Sequence, residues 1–413
     1  MCAVLSLVEP VVIVHKVGNS FFQLALTLTV YNHSLLEADG QPNQAQAVSS
    51  HFLLIHSVLS VLLGTLAIIP LGRMADRRGP KVLLVVPQVG SVLGMCFLLF
   101  FLLWELPLWF LYFGAVVYGL SGGSPAYWAG VVSMAALSSK PGHRTLKLNV
   151  VDFCGGVAGV LGGLLAGYVY GGKSGVILVL TAILLIVLGL LYSTLLLSFP
   201  ISPVTEGSQP LAQPQGDWNM NTREVVLLVG SMVLFMLGME GAENVLSLYV
   251  LKPPLAWDSV WAGYGQAATN AMYLTSFLGV LVLSGPLGDQ SLCLLGIISN
   301  CTGMALMAFA THSWVYFMAR AVMLFACVPM PTLRAMLSKV LDAQQYGRVF
   351  GLLQLVLAVT EVLSTVIFTS VYPLTLDWHG GLCFLLSCFI SYLSVIPILY
   401  LSYRGRRQDY TAI

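Results

Sequence analysis

Eight ionisable side chains interrupt the long apolar runs of this 413-residue sequence: His15, Lys16, Asp152, Glu240, Glu243, Arg320, Arg334 and Glu361. A charge in such surroundings is costly, and is kept for carrying protons, binding ions or answering a partner charge. Glu240 and Glu243 are three apart and share one helix face, with Asn244 beside them. Two like charges that near favour one of them holding a proton, which suits a proton carrier; pairing to Lys16 or Arg320 as structural glue is the equal alternative. Arg334 carries a fork that can grip a carboxylate with two hydrogen bonds, or it is a structural arginine reaching toward the following loop. Arg320 lies fourteen residues before it, so an unbroken helix would set both on similar faces about 21 Å apart. Pro329 and Pro331, between them, free backbone carbonyls and bend that line.

Other chemistries find no support. There is neither a nucleophile–base pair nor a cluster of metal ligands, so no enzyme, metal or cofactor is expected. Gly167 to Ser174 matches the letters of a phosphate-binding loop, but such a loop needs a strand before it, a helix after it and access to nucleotide. Here it ends an apolar run. The eight cysteines offer no pair in an outside loop and no zinc spacing.

The elements that must position these groups follow from composition. The chain is 58% hydrophobic and only 8% charged, with a mean hydropathy of +0.88. A soluble domain carries about 25% charged residues, so this one is expected in a lipid bilayer. Spanning it takes about 20 mostly apolar residues per helix. Runs that meet this lie at roughly 6–30, 51–71, 81–104, 107–137, 148–170 and 175–199. Six more follow at roughly 225–250, 259–284, 291–310, 313–338, 347–371 and 380–402. The expected fold is therefore all-α, with twelve transmembrane helices in two six-helix halves. The halves are 1–199 and 225–403, joined by a polar cytoplasmic linker at 200–224 and followed by a tail at 404–413.

Basic residues orient the chain. With both termini cytoplasmic, thirteen of the eighteen Lys and Arg fall on the inner loops and tail and only Lys173 and Lys252 outside. No basic patch suggests nucleic acid. The sequon Asn32-His33-Ser34 then lies in the first outer loop, where a glycan can be added. The end of the chain, Tyr410-Thr411-Ala412-Ile413, reads as a sorting signal or a PDZ ligand. A glycine stripe at 155, 159, 163 and 167 predicts close helix packing in the fifth span.

Between spans 2 and 3, Gly72-Arg73-Met74-Ala75-Asp76-Arg77-Arg78-Gly79-Pro80-Lys81 sets one carboxylate among bases. It resembles the loop signature of the major facilitator superfamily, with Pro80 in place of the usual Arg, and implies a gating latch through Gly72, Asp76, Arg77 and Gly79. In that fold spans 1, 4, 7 and 10 line the cavity. Leu248 to Asp258, Gly263-Tyr264-Gly265, Ala319 to Phe325 and Leu333 to Lys339 are similar to solute carrier family forty-six, the proton-coupled folate transporter and its relatives. The resemblance covers nearly the whole chain. It implies a substrate role for Arg334, a proton-coupling role for Asp152 and a gating role for Asp76. Leu120, Met239 and Ala256 depart from the folate transporter, so a muropeptide-like or conjugated organic anion is expected ahead of folate. The expected partners are that small anion, protons and the lipid bilayer, at the plasma membrane or an endolysosomal one. A receptor or scaffold without turnover is the alternative.

The orientation makes a prediction. Cysteines placed at Ser139 or Ala343 should resist impermeant thiol reagents in intact cells, one at Ser174 should react, and Asn32→Gln should remove a glycan. Labelling of Ser139 from outside would overturn the topology.

Overall fold

The computed structural model describes residues 7–39, 41–104, 106–137, 144–172, 175–197, 222–283, 287–340, 346–376, 380–401 and 403. Every regular element among the described residues is helical. Hydrocarbon offers no hydrogen-bond partners, so each backbone group must be satisfied within its own segment. The first part of the chain forms α1 (Glu9–Glu37), α2 (Pro42–Arg78), α3 (Lys81–Trp104), α4 (Leu111–Leu120), α5 (Gly123–Leu137), α6 (Arg144–Gly172) and α7 (Gly175–Leu191). The second forms α8 (Thr222–Tyr249), α9 (Ser259–Leu283), α10 (Asp289–Ala308), α11 (Ser313–Val322), α12 (Pro329–Val340), α13 (Tyr346–Thr375) and α14 (Leu382–Leu393).

Eleven helical stretches among the described residues are long and apolar enough to cross a membrane. The expected fourth span is not among them because it is broken. Gly122 and Gly123 take φ of +98° and +51° between α4 and α5, a left-handed backbone that glycine adopts without a side-chain clash. The tenth is interrupted too. A 3-10 turn at Met323–Phe325 separates α11 from α12, which starts at Pro329, so Arg320 and Arg334 do not ride on one straight rod.

Two further expectations change. The stretch from Gly72 to Arg78 is not a loop but the last turns of α2, which end at Gly79 with φ +93°. Residues Asn32 to Ser34 are likewise helical, within α1. Asn32 is exposed and donates to the Tyr170 hydroxyl at 3.4 Å, whereas Ser34 is buried. The side chains of Asp76 and Asp152, the whole of 198–221 and the Thr411-Ala412-Ile413 end lie outside the described residues.

The helices pack through small residues. A Cβ on Gly163 would sit 2.8 Å from the Ala267 nitrogen, and one on Gly167 would sit 2.7 Å from the Ser259 carbonyl oxygen. Along α6 these glycines therefore let α9 approach backbone to backbone. Gly162 does the same for α1, against Ser20. Elsewhere buried side chains gather into cores, among them one with Phe235, Ile297, Leu337 and Leu357 and another with Val12, Leu84, Tyr127 and Val151. Leucines such as Leu66 and Leu184 remain exposed on the outer surface, where lipid meets them.

One end of the bundle is clamped. The buried Gln46 side chain of α2 donates to the Leu248 carbonyl at the end of α8, and accepts the Tyr372 hydroxyl of α13 at 2.5 Å. Tyr31 of α1 reaches the Leu251 carbonyl at 3.4 Å. At the opposite end the Lys81 ammonium caps the carbonyls of Thr194 and Leu197 at 2.7 and 2.9 Å, and Lys339 pairs with Asp289.

The seam yields a contrast. Gly163→Val overfills a backbone contact and should cost about 1–3 kcal/mol, read as a lower melting temperature in detergent. At Gly155 an added Cβ meets nothing nearer than 3.6 Å, so Gly155→Ala should melt like the parent.

Candidate functional site: a chain of three internal chambers

Three cavities run through the bundle from the clamped end. The first, about 280 Å³, is lined by Gln23, Thr27, Glu243, Asn244, Gln266 and Tyr316 among others. The second, about 250 Å³, shares Gln23, Leu53 and Ser57 with the first and holds His15, Lys16, His56, Tyr118 and Glu361. The third is wider, about 670 Å³, and shares Lys16 and Trp128 with the second. Glu240, Asn270, Tyr273, Phe277 and Arg334 line it. Cavities of about 300–1,000 Å³ with few polar groups are typical of small-molecule sites.

The eight ionisable residues of the apolar runs are distributed unevenly. Lys16 of α1 stands where the second and third chambers meet. Glu240 faces the third chamber, and the charges of Glu361, Glu243 and Lys16 all act on it. Glu243, one turn on, turns to Arg320 instead. The guanidinium donates to both of its carboxylate oxygens, at 2.6 and 2.9 Å. Arg320 is only 3% exposed, against 17% for Glu243. Its Nε also donates to the Tyr316 hydroxyl at 3.3 Å, and the guanidinium carbon lies 5.5 Å from the Tyr316 ring centre. Trp257 packs edge-on to Tyr316 at 4.6 Å and anchors its indole N–H on Ser313 at 2.7 Å. Arg320 is thus enclosed and lines none of the three chambers, whereas Arg334, half-buried on α12, lines the third.

Asn244 donates to Thr365 of α13 at 3.0 Å. His15 stacks on Tyr127 at 3.7 Å on the wall of the second chamber. Asp152 sits in the third turn of α6 by its backbone, near the end away from the clamp.

Several chamber residues carry no formal charge and were not singled out from the sequence: Gln23, Ser57, Gln266, Asn270, Tyr273 and Tyr316. A readable signal exists for some of them. Lys16, Asn19, Gln23 and Thr27 recur every three or four residues, a polar stripe down one face of α1. Gln266, Asn270 and Tyr273 form a second stripe on α9.

Broken helices around internal chambers are a transporter architecture, and known proteins bear out that relation. The Major Facilitator Superfamily model matches residues 12–291. Solute carrier family 46 member 2 of Canis lupus familiaris is 33% identical over 447 residues, covering 96% of this chain and 93% of that one. The chain belongs to solute carrier family 46. Another member of family 46, the lysosomal proton-coupled steroid conjugate and bile acid symporter of Gallus gallus, is 30% identical across 78% of this chain and 72% of its own. The proton-coupled folate transporter of Rattus norvegicus is 28% identical across 87% and 81%. Among solved structures, a bacterial metal transporter superposes with a TM-score of 0.63 at 15% identity, over 97% of this chain and 99% of that one, a likeness of fold alone. This member of family 46 is therefore a multi-pass membrane protein of the facilitator fold, in a family of transporters.

The enclosed ion pair makes a prediction. Breaking it from one side, by Glu243→Gln or Arg320→Met, strands a buried charge or donor and should cost about 3–5 kcal/mol. The double variant Glu243→Leu with Arg320→Met removes both charges and should recover most of that stability. Thermal unfolding of the purified protein in detergent measures all three. A double variant no more stable than the singles would refute the charge-pair account.

Proposed function

We propose that this protein is a secondary transporter that moves a small organic anion inward together with protons. The observation that carries this reading is the lining of the second and third chambers. Lys16 and Arg334 supply cationic groups there, and Glu240 and Glu361 supply carboxylates, whereas Glu243 is already answered by Arg320. An anion can be answered by the former and a proton held by the latter. Trp128, Tyr273 and Phe277 add apolar and aromatic wall, which suits a conjugated or peptide-like body better than a bare inorganic ion. The relatives that are proton-coupled symporters support the same reading.

The accompanying topology is part of the proposal. We read twelve spans in two halves, 1–199 and 225–403, with the pieces α4 and α5 together as the fourth, α11 and α12 together as the tenth, and both termini cytoplasmic. The clamp of Gln46, Leu248 and Tyr372 then closes the outer side, and the Arg334 chamber is the inward-facing one. Asn32 is the proposed glycan site and the plasma membrane the proposed location. Asp76, Arg77 and the glycines Gly72 and Gly79 form the inner gate.

Uptake of a labelled anion panel at acid and neutral outside pH tests the reading directly, and acid should stimulate it. Arg334→Ala removes a two-pronged donor and should abolish uptake at normal surface expression, with Arg334→Lys, which keeps charge but not the fork, rescuing only partly. Asp152, near the inner end of α6, is the proposed exit of the coupled proton, so Asp152→Asn, which mimics the protonated acid and cannot release it, should lose pH-driven accumulation. A protein at the cell surface that moves no member of the panel at either pH would favour the receptor reading.

A further inference from the structure

The second chamber is chemically unlike its neighbours. Its wall brings together the ammonium of Lys16, the imidazoles of His15 and His56, and the donors of Asn19, Ser91 and Ser124. Against all of these stands a single carboxylate, Glu361 of α13. At about 250 Å³ it is large enough for a carboxylate, sulfate or phosphate group, but small beside the 670 Å³ chamber that opens from it past Lys16 and Trp128. The larger space is lined by Met239, Phe277, Val280, Leu281 and Met330 as well as its polar groups.

We propose that the substrate binds across both chambers, its oxyanion head in the second and its apolar body in the third, and that Glu361 carries the coupled proton. This deepens the transport reading and rests on it. The coupling follows from counting charge. With Glu361 ionised, Lys16 is the one ammonium in the second chamber's lining to answer it, and Glu240 draws on the same charge from the third. Adding an anion would leave one buried negative charge unanswered, which is strongly disfavoured away from water. Adding the anion together with a proton on a Glu361 oxygen leaves the net charge of the site unchanged. The anion and the ionised carboxylate thus exclude one another, and a proton enters with each head group. Release reverses the order: the head leaves through the third chamber, and the O–H of Glu361 then gives its proton to water on that side. The groups that face Glu361 are His15 and Lys16 from α1, His56 from α2, Tyr118 from α4 and Glu240 from α8. Of these only Glu240 adds negative charge, and it does so from the third chamber.

The experiment uses the full chain in proteoliposomes with a radiolabelled steroid sulfate as probe. Parent protein should accumulate it several-fold when the entry side is acidified. Glu361→Gln should make exchange independent of pH and reduce gradient-driven accumulation to no more than equilibration. His56→Phe, which fills the second chamber, should raise KM for the steroid sulfate at least tenfold, and His56→Gln, which keeps a donor, should return it to within about threefold. Ser60→Cys covers the case of a poorly folding variant, since Ser60 lines the second chamber and not the others. The probe should slow its reaction with a small thiol reagent at least fivefold. Undiminished pH-driven accumulation by Glu361→Gln would overturn the coupling, and an unprotected Ser60→Cys or an unchanged KM in His56→Phe would overturn the seat of the head group. If the parent protein moves neither this probe nor any other anion of the panel, the transport reading itself falls, and this inference with it.

Discussion

Hydrocarbon cannot hydrogen-bond, and that constraint governs nearly everything in this protein. It makes every regular element among the described residues a helix, because only a helix satisfies its backbone unaided. It also decides where the exceptions stand. Gly122-Gly123 and the turn at Met323–Phe325 interrupt their helices inside the bundle, at positions enclosed by neighbouring segments or facing the chambers. Irregular backbone at that depth survives only where protein or trapped water replaces the missing partners.

The same constraint sorts the charges. Arg320 and Glu243 answer one another fully, with Tyr316 taking a further donor, and so form a fixed post between α8 and α11. Lys16, Glu240 and Glu361 line open space instead. A group that already has its partner holds shape, whereas one lining a chamber can be answered by something that arrives and leaves. Glu240 and Glu243 illustrate this division only three residues apart on one helix.

Much of this was legible in the sequence because membrane spans announce themselves by length and apolarity. The ends of the helices were less so: α2 runs seven residues beyond its expected limit at 71, through Arg73, Arg77 and Arg78, since long basic side chains let a helix continue past the hydrocarbon. The glycine stripe of α6 was readable as packing, and α9 answers it with small residues at the same spacing, Ser259, Gly263 and Ala267, but which helix the stripe meets is set by tertiary packing. The choice of Glu243 rather than Glu240 for Arg320 was hidden as well. Both are on one helix, and only the position of α11, set by the turn after Val322, selects between them. The chamber linings were half visible, as polar stripes on α1 and α9, yet which stripes converge is a property of tertiary packing.

The bare face of α6 has a mechanical consequence. Where leucines interlock, two helices can move only by lifting one set of knobs over another, and each new register is a separate well. Gly163 and Gly167 offer no knobs, so α9 rests on a nearly smooth track of backbone. Such a surface works as a bearing: it holds its partner close at every angle yet opposes rolling with little friction. The polar clamp of Gln46, Tyr372 and the Leu248 carbonyl is then a catch that can be undone while the bearing stays in contact.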